Sequence, residues 1–138
     1  VHIDERKIIE YIRKIALYSP DEETKVGCAL LDHNGIIVGT GWNRHPVNKR
    51  CSLPTKRPEK YPYMIHAEIA ALVRCRRPDD VSVVYITHSP CHECAKALAM
   101  LPNLLEVVYV TEYQGVLETI KFLEMFGVIV RKYEGENA

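Results

Sequence analysis

With 138 residues, 47% of them apolar and 26% charged, the chain is long enough for one hydrophobic core and has the composition of an ordinary globular domain. Its 18 basic and 18 acidic residues cancel, which speaks against a protein that tracks long nucleic acids, where a basic excess is usual. No apolar stretch approaches the roughly 20 residues of a membrane span, and five cysteines without regular spacing argue against a disulfide framework.

From Asp4 to Tyr18, Ile8, Ile9, Ile12, Ile15 and Ala16 recur at helical spacing. They predict an amphipathic first helix and not a signal peptide, so a cytoplasmic location is the default expectation. "SPDEE" ends that helix. "KVGCALLD" and "GIIVGTGW" then read as two strands joined by "HNG", whose Asn34-Gly35 is a hairpin signal. Residues 43–63 hold four of the eight prolines and little periodicity, which predicts a long loop of the kind that often carries function. "HAEIAALVRC" reads as a helix, "VSVVYIT" as a buried strand and "CHECAKALAML" as a helix opening behind Pro90. "LLEVVYVT", "GVLETIKFLEMF" and "GVIVRKY" follow as strand, helix and strand. A leading hairpin followed by alternating strands and helices implies an α/β fold with a mixed sheet covered by helices. The last β-α-β unit gives parallel strands by a right-handed crossover. No repeat, linker or low-complexity tract interrupts residues 1–138, so a single domain is expected.

"HSPCHEC" carries the first chemical signal. Cys91 and Cys94 are spaced for a redox pair, for half of a structural zinc site or for part of a catalytic one. At a helix start, residues three apart face one way, and the positive helix end favours the thiolate that binds metal. Pro90 suits the first turn of that helix. There is no second C-x-x-C; "HAE", residues 66–68, stands instead at another predicted helix start. His66, Cys91 and Cys94 would make three protein ligands and leave a fourth position for water, the pattern of a catalytic zinc. Glu68 is then placed to handle the protons of that water.

H-x-E followed by P-C-x-x-C is the signature of zinc deaminases. With "TKVGC", "GTGWN" and "KYPYMIHAE" beside it, the chain from about Ser19 to Val130 resembles the deoxycytidylate (dCMP) deaminase family of the cytidine deaminase superfamily. The resemblance implies a cytidine-deaminase-like three-layer α-β-α fold with a mixed five-stranded sheet, the last two strands parallel. It implies one catalytic Zn2+ held by His66, Cys91 and Cys94, and Glu68 as proton shuttle in hydrolytic deamination of dCMP to dUMP. Asn43 would lie near the sugar, and Ala67 is expected to line the substrate site. Homo-oligomers, hexamers favoured, and dCTP or dTTP effectors with Mg2+ are further implications. The family usually has Asn two residues after the glutamate; this chain has Ala70.

Between Arg44 and Lys60 six basic residues face one acid. A 5′-monophosphate carries close to two charges and takes charge-assisted hydrogen bonds, so Arg44, Lys49 and Arg50 are candidate phosphate contacts. Tyr113, after the fourth strand, is a candidate for reaching the pocket, while Trp42 divides between packing and base stacking. "RCRR" at 74–77, His92 and Glu93 are expected in solvent or at an interface, and Cys28 and Cys75 are expected to be buried thiols. A second zinc site at His45 and Cys51 is disfavoured. The expected partner is a small nucleotide, with neither a nucleic-acid polymer nor a membrane. The alternatives are deamination of another cytosine nucleoside or nucleotide, C5-modified dCMP included, and a catalytically silent zinc-bearing module.

Overall fold

The computed structural model describes residues 4–46 and 52–135. Helix α1, Glu5–Ala16, is capped by Asp4, whose carboxylate accepts the Lys7 N–H at 3.4 Å. It ends two residues before the expected Tyr18 because Leu17 and Tyr18 turn outward and stay exposed. Strand β1, Gly27–Asp32, is buried along its whole length, which is why it reads as a continuous apolar run. Strand β2, Ile37–Trp42, returns beside it antiparallel.

The connection between them is the hairpin that "HNG" signals, extended by one residue to Ile36 before β2 begins. The Asp32 carboxylate accepts the N–H groups of Asn34 and Ile36, each at 2.9 Å, and Gly35 takes a φ of 81°. This wider loop shifts the pairing from Leu30↔Gly39 to Leu31↔Ile37, a bulge in β2.

Helix α2 spans Ala67–Arg74, β3 Val81–His88, α3 His92–Leu98, β4 Glu106–Thr111, α4 Val116–Glu124 and β5 Ile129–Lys132. The sheet order is β2-β1-β3-β4-β5. β1 is antiparallel to both of its neighbours, whereas β3, β4 and β5 run parallel. Side chains alternate across this sheet, as the pleat requires. Ala29, Leu31, Tyr85 and Val108 meet Ile9 and Ile12 of α1 on one face. Cys28, Leu30, Val84, Ile86 and Val107 meet Ala67, Ala71, Ala95, Leu98 and Leu123 on the other. The result is the expected α-β-α sandwich with a mixed five-stranded sheet. No described helix is long and apolar enough to cross a membrane.

One contact fixes how close α2 lies to the sheet. A Cβ on Gly41 would stand 2.5 Å from the Ala71 nitrogen and 2.6 Å from the Ala67 oxygen. Strand β2 therefore touches the helix backbone directly, and no other residue fits there.

Candidate metal centre and substrate pocket

Two chain reversals bring the donors together. His66 is the N-cap of α2 (φ −70°, ψ 153°) and Cys91 the N-cap of α3 (φ −74°, ψ 171°). Neither side chain caps its own helix, so both are free to turn toward each other. Pro90 precedes the α3 cap and stands outside the first turn. His66 Nδ1 lies 3.2 Å from Cys94 Sγ and 3.5 Å from Cys91 Sγ. All three donor atoms fall within 4.8 Å of one another. An ion bound tetrahedrally at ordinary zinc–nitrogen and zinc–sulfur distances separates N from S by about 3.5 Å, so the donor set fits zinc. Cys94 is buried, Cys91 half-buried and His66 exposed, which leaves the group open on one side. Among the described residues this is the one such cluster of His, Cys, Asp and Glu.

The electrostatics favour a metal-ready thiolate. Hydrogen bonds with Cys94 and His66 draw the Cys91 thiol down to about 3. The hydrogen bond to Cys91, with burial, pushes Cys94 up, while the bond to Cys91 raises His66. Glu68, in the first turn of α2, is 4% exposed. Burial pushes its carboxyl up to about 7 against the opposing pull of its own backbone N–H and of His66. The carboxyl also hydrogen-bonds Cys94, so this buried acid and the donor set are in contact.

His66 forms part of the wall of a cavity of about 210 Å³. Asn43 and Tyr113 stand in the same wall. The Asn43 amide is fixed by backbone: Oδ1 accepts the Val26 N–H at 2.8 Å, and Nδ2 donates to the Thr24 carbonyl at 2.8 Å. Tyr113 donates its N–H to Ser89 Oγ at 2.7 Å and stacks on His88 with ring centroids 5.1 Å apart. Burial pushes its phenol up to about 12.

The remaining wall is made by two loops that close on each other through charge. Asp21 Oδ2 lies 2.8 Å from Lys60 Nζ, and both side chains are almost fully buried. Asp21 also accepts the N–H groups of Glu23 and Thr24 and reaches Asn43 Nδ2 at 3.4 Å. Glu23 binds Arg57 and Lys60, and Glu22 binds Thr55. Arg57, Lys60 and Tyr61 all line the cavity.

Of the residues singled out from sequence, the structure gathers His66, Cys91, Cys94 and Glu68 with Asn43 and Tyr113. Ala67 is buried against the sheet and does not line the cavity. Arg44 lies off the cavity wall, its guanidinium 5.0 Å from the centre of the Trp42 ring. Trp42 also packs on Tyr18, at 5.1 Å between ring centroids. Lys49 and Arg50 lie outside the described residues, as does Cys51; His45 contacts the Pro54 carbonyl through Nε2 at 2.9 Å. Cys28 is buried as expected, Cys75 only half-buried, and His92 meets the edge of Phe122. Ala70 is buried beside Gly41. The sequence reading missed Asp21 and Thr24. Its available signal was the acidic "DEE", opposite in sign to the basic loop it pairs with.

Comparison with known proteins converges on one family. The family described as "Cytidine and deoxycytidylate deaminase zinc-binding region" matches residues 3–111. The mouse deoxycytidylate deaminase is 32% identical over 142 residues, covering 90% of this chain and 78% of the relative. A probable deoxycytidylate deaminase of Caenorhabditis elegans is 30% identical over 114 residues; the match takes in 78% of this chain and only 56% of that protein's length. Among solved structures, the dCMP deaminase of cyanophage S-TIM5, in complex with dCMP and dUMP, superposes with a TM-score of 0.76 at 29% identity. That match covers 94% of this chain and 96% of the phage chain.

Proposed function

The chain belongs to the cytidine and deoxycytidylate deaminase zinc-binding family, and from that membership we propose that it hydrolyses dCMP to dUMP and ammonia. The observation that carries this reading is the juxtaposition of three zinc-compatible donors with a buried glutamate, beside a cavity that His66 lines together with Arg57 and Lys60. His66, Cys91 and Cys94 would hold the ion. Zinc there supplies Lewis acidity, which brings the ionisation of water toward neutral pH.

Glu68 does the proton work. It takes a proton from the attacking water and passes it to N3 of the cytosine ring, making C4 electrophilic. As the C4–N bond breaks, it helps deliver the second proton to the departing amine. A carboxyl near 7 is matched to both directions of transfer at neutral pH. Tyr113, held by Ser89 and His88, offers a flat, partly apolar wall to the base. Asn43 is oriented too rigidly to be pulled out of place by substrate, which suits a residue that sets the position of the sugar.

A homo-oligomer, with a hexamer favoured, belongs to the same proposal. The exposed apolar side chains Val73, Met100, Leu117 and Met125 on the α2–α4 layer support self-association. Control by dCTP or dTTP with Mg2+ rests on the family resemblance, and a cytoplasmic setting is part of the same proposal.

The test is deamination of dCMP, CMP, deoxycytidine and dCTP followed by ultraviolet absorbance, with zinc determined on the same preparation. We expect about one zinc per chain and the highest kcat/KM on dCMP. Zinc without turnover on any of the four would overturn the substrate assignment.

A further inference from the structure

Three donors in the pocket wall converge on one carboxylate oxygen. Glu23 Oε1 accepts the backbone N–H of Arg57 at 2.8 Å, Arg57 Nε at 3.1 Å and Lys60 Nζ at 3.2 Å. The side chains of Arg57 and Lys60 line the cavity that His66 also lines. A guanidinium, an ammonium and a main-chain N–H aimed at a single oxygen form a donor set suited to a phosphate. Here the chain's own carboxylate fills it.

We infer that Glu23 is an internal occupant of the phosphate subsite: a nucleoside 5′-monophosphate displaces it from Arg57 and Lys60, whereas a nucleoside without phosphate leaves it in place. The inference rests on the proposed action on dCMP and deepens it. Glu23 would thereby set how strongly the enzyme favours a dianionic phosphate. One carboxylate charge yields to nearly two phosphate charges, but a singly charged or neutral ligand gains little by the exchange.

The surrounding contacts make Glu23 a competitor and not a strut. Lys60 stays anchored without it, because Asp21 binds Lys60 Nζ through both oxygens, at 3.0 and 2.8 Å. Asp21 is itself held by the N–H groups of Glu23 and Thr24, which survive replacement of the Glu23 side chain. Lys60 is deep in the wall at 8% side-chain exposure, whereas Glu23 keeps 26% and has solvent to swing into. The Arg57 N–H holds the Glu23 carboxyl below its ordinary range, so the competing charge persists at neutral pH.

The experiment uses the zinc-loaded protein and its Glu23→Gln and Glu23→Ala variants. Calorimetry measures binding of dUMP, deoxyuridine and inorganic phosphate, and melting temperature verifies the fold. Both variants are expected to bind dUMP about fivefold more tightly, the scale of one partly exposed ion pair, with deoxyuridine changed less than twofold. Inorganic phosphate should tighten with dUMP, and Arg57→Ala added to Glu23→Gln should abolish the gain. Unchanged or weaker dUMP binding in folded variants, while wild type still turns over dCMP, would overturn the inference and leave the substrate assignment standing. Failure of wild type to deaminate dCMP would overturn both.

Discussion

Glu68 shows how burial sets a residue's chemistry. In water its carboxyl would be ionised and inert as an acid at neutral pH; enclosed at 4% exposure in the first turn of α2, it rises to about 7. It is not one of the three clustered donors, so charge and metal binding can be separated by substitution. Glu68→Gln keeps the shape and leaves His66, Cys91 and Cys94 intact. The expected outcome is about one zinc per chain by atomic emission and a roughly 10²- to 10⁴-fold lower kcat on dCMP, the usual range for losing a general acid–base. Turnover within tenfold of wild type would remove Glu68 from the proton path.

At the scale of elements, the site depends on how α2 is seated. His66 and Glu68 belong to α2 and the cysteines to α3, so a small displacement of one helix separates the donors. Gly41 governs that seating, because a methyl group there would press on the backbone of α2 at Ala67 and Ala71. Gly41→Ala should cost about 1–3 kcal/mol, as overpacking does, and weaken zinc severalfold in competition with a chromophoric chelator. Gly127→Ala supplies the contrast. Gly127 has a φ of 79°, and a methyl group there would meet nothing within 4 Å. It should lose about 1 kcal/mol through its backbone and keep wild-type zinc affinity. Equal zinc affinity in the two variants would dismiss the seating argument. Periodicity made the strands and helices legible in the sequence, and the two helix-start motifs made the donor set legible. The tight approach of β2 to α2 was not, since nothing in "GTGW" says which glycine meets a helix. The wide turn at Asp32 was hidden for a similar reason: Asn34-Gly35 signals a hairpin, but the carboxylate that enlarges it comes from the strand end.

The whole molecule is neutral in sum, and its charges act through pairs that chain order conceals. Asp21 meets Lys60 across 39 residues, and Glu5 meets Arg131 across 126. Segment by segment, the basic loop looks like a free patch, because the acids that occupy it lie before the first strand. The Glu5 network joins four elements, α1, β3, β4 and β5. Arg131 of β5 binds Glu5 of α1 and Glu106 of β4, and the Tyr85 hydroxyl donates to Glu5 Oε2 at 2.8 Å. The Arg131 hydrogen bond, with that of Tyr85, holds the Glu5 carboxyl below its ordinary 4.5 despite the opposing effect of burial. A carboxyl lowered by folding contributes its full stability above the unfolded value and loses it as pH falls through the folded one. Wild type should therefore exceed Glu5→Gln in urea-unfolding free energy by about 1 kcal/mol at pH 7, since Arg131 is part-exposed and solvent screens the pair. That difference should hold down to about pH 5, shrink progressively below the ordinary value of 4.5, and diminish in high salt. Glu5 is far in sequence from the cysteine donors and packs on the opposite face of the sheet, so the difference between the two proteins cancels any acid-induced loss of metal. A difference independent of pH would mean that Glu5 stabilises the sandwich by packing, without its charge.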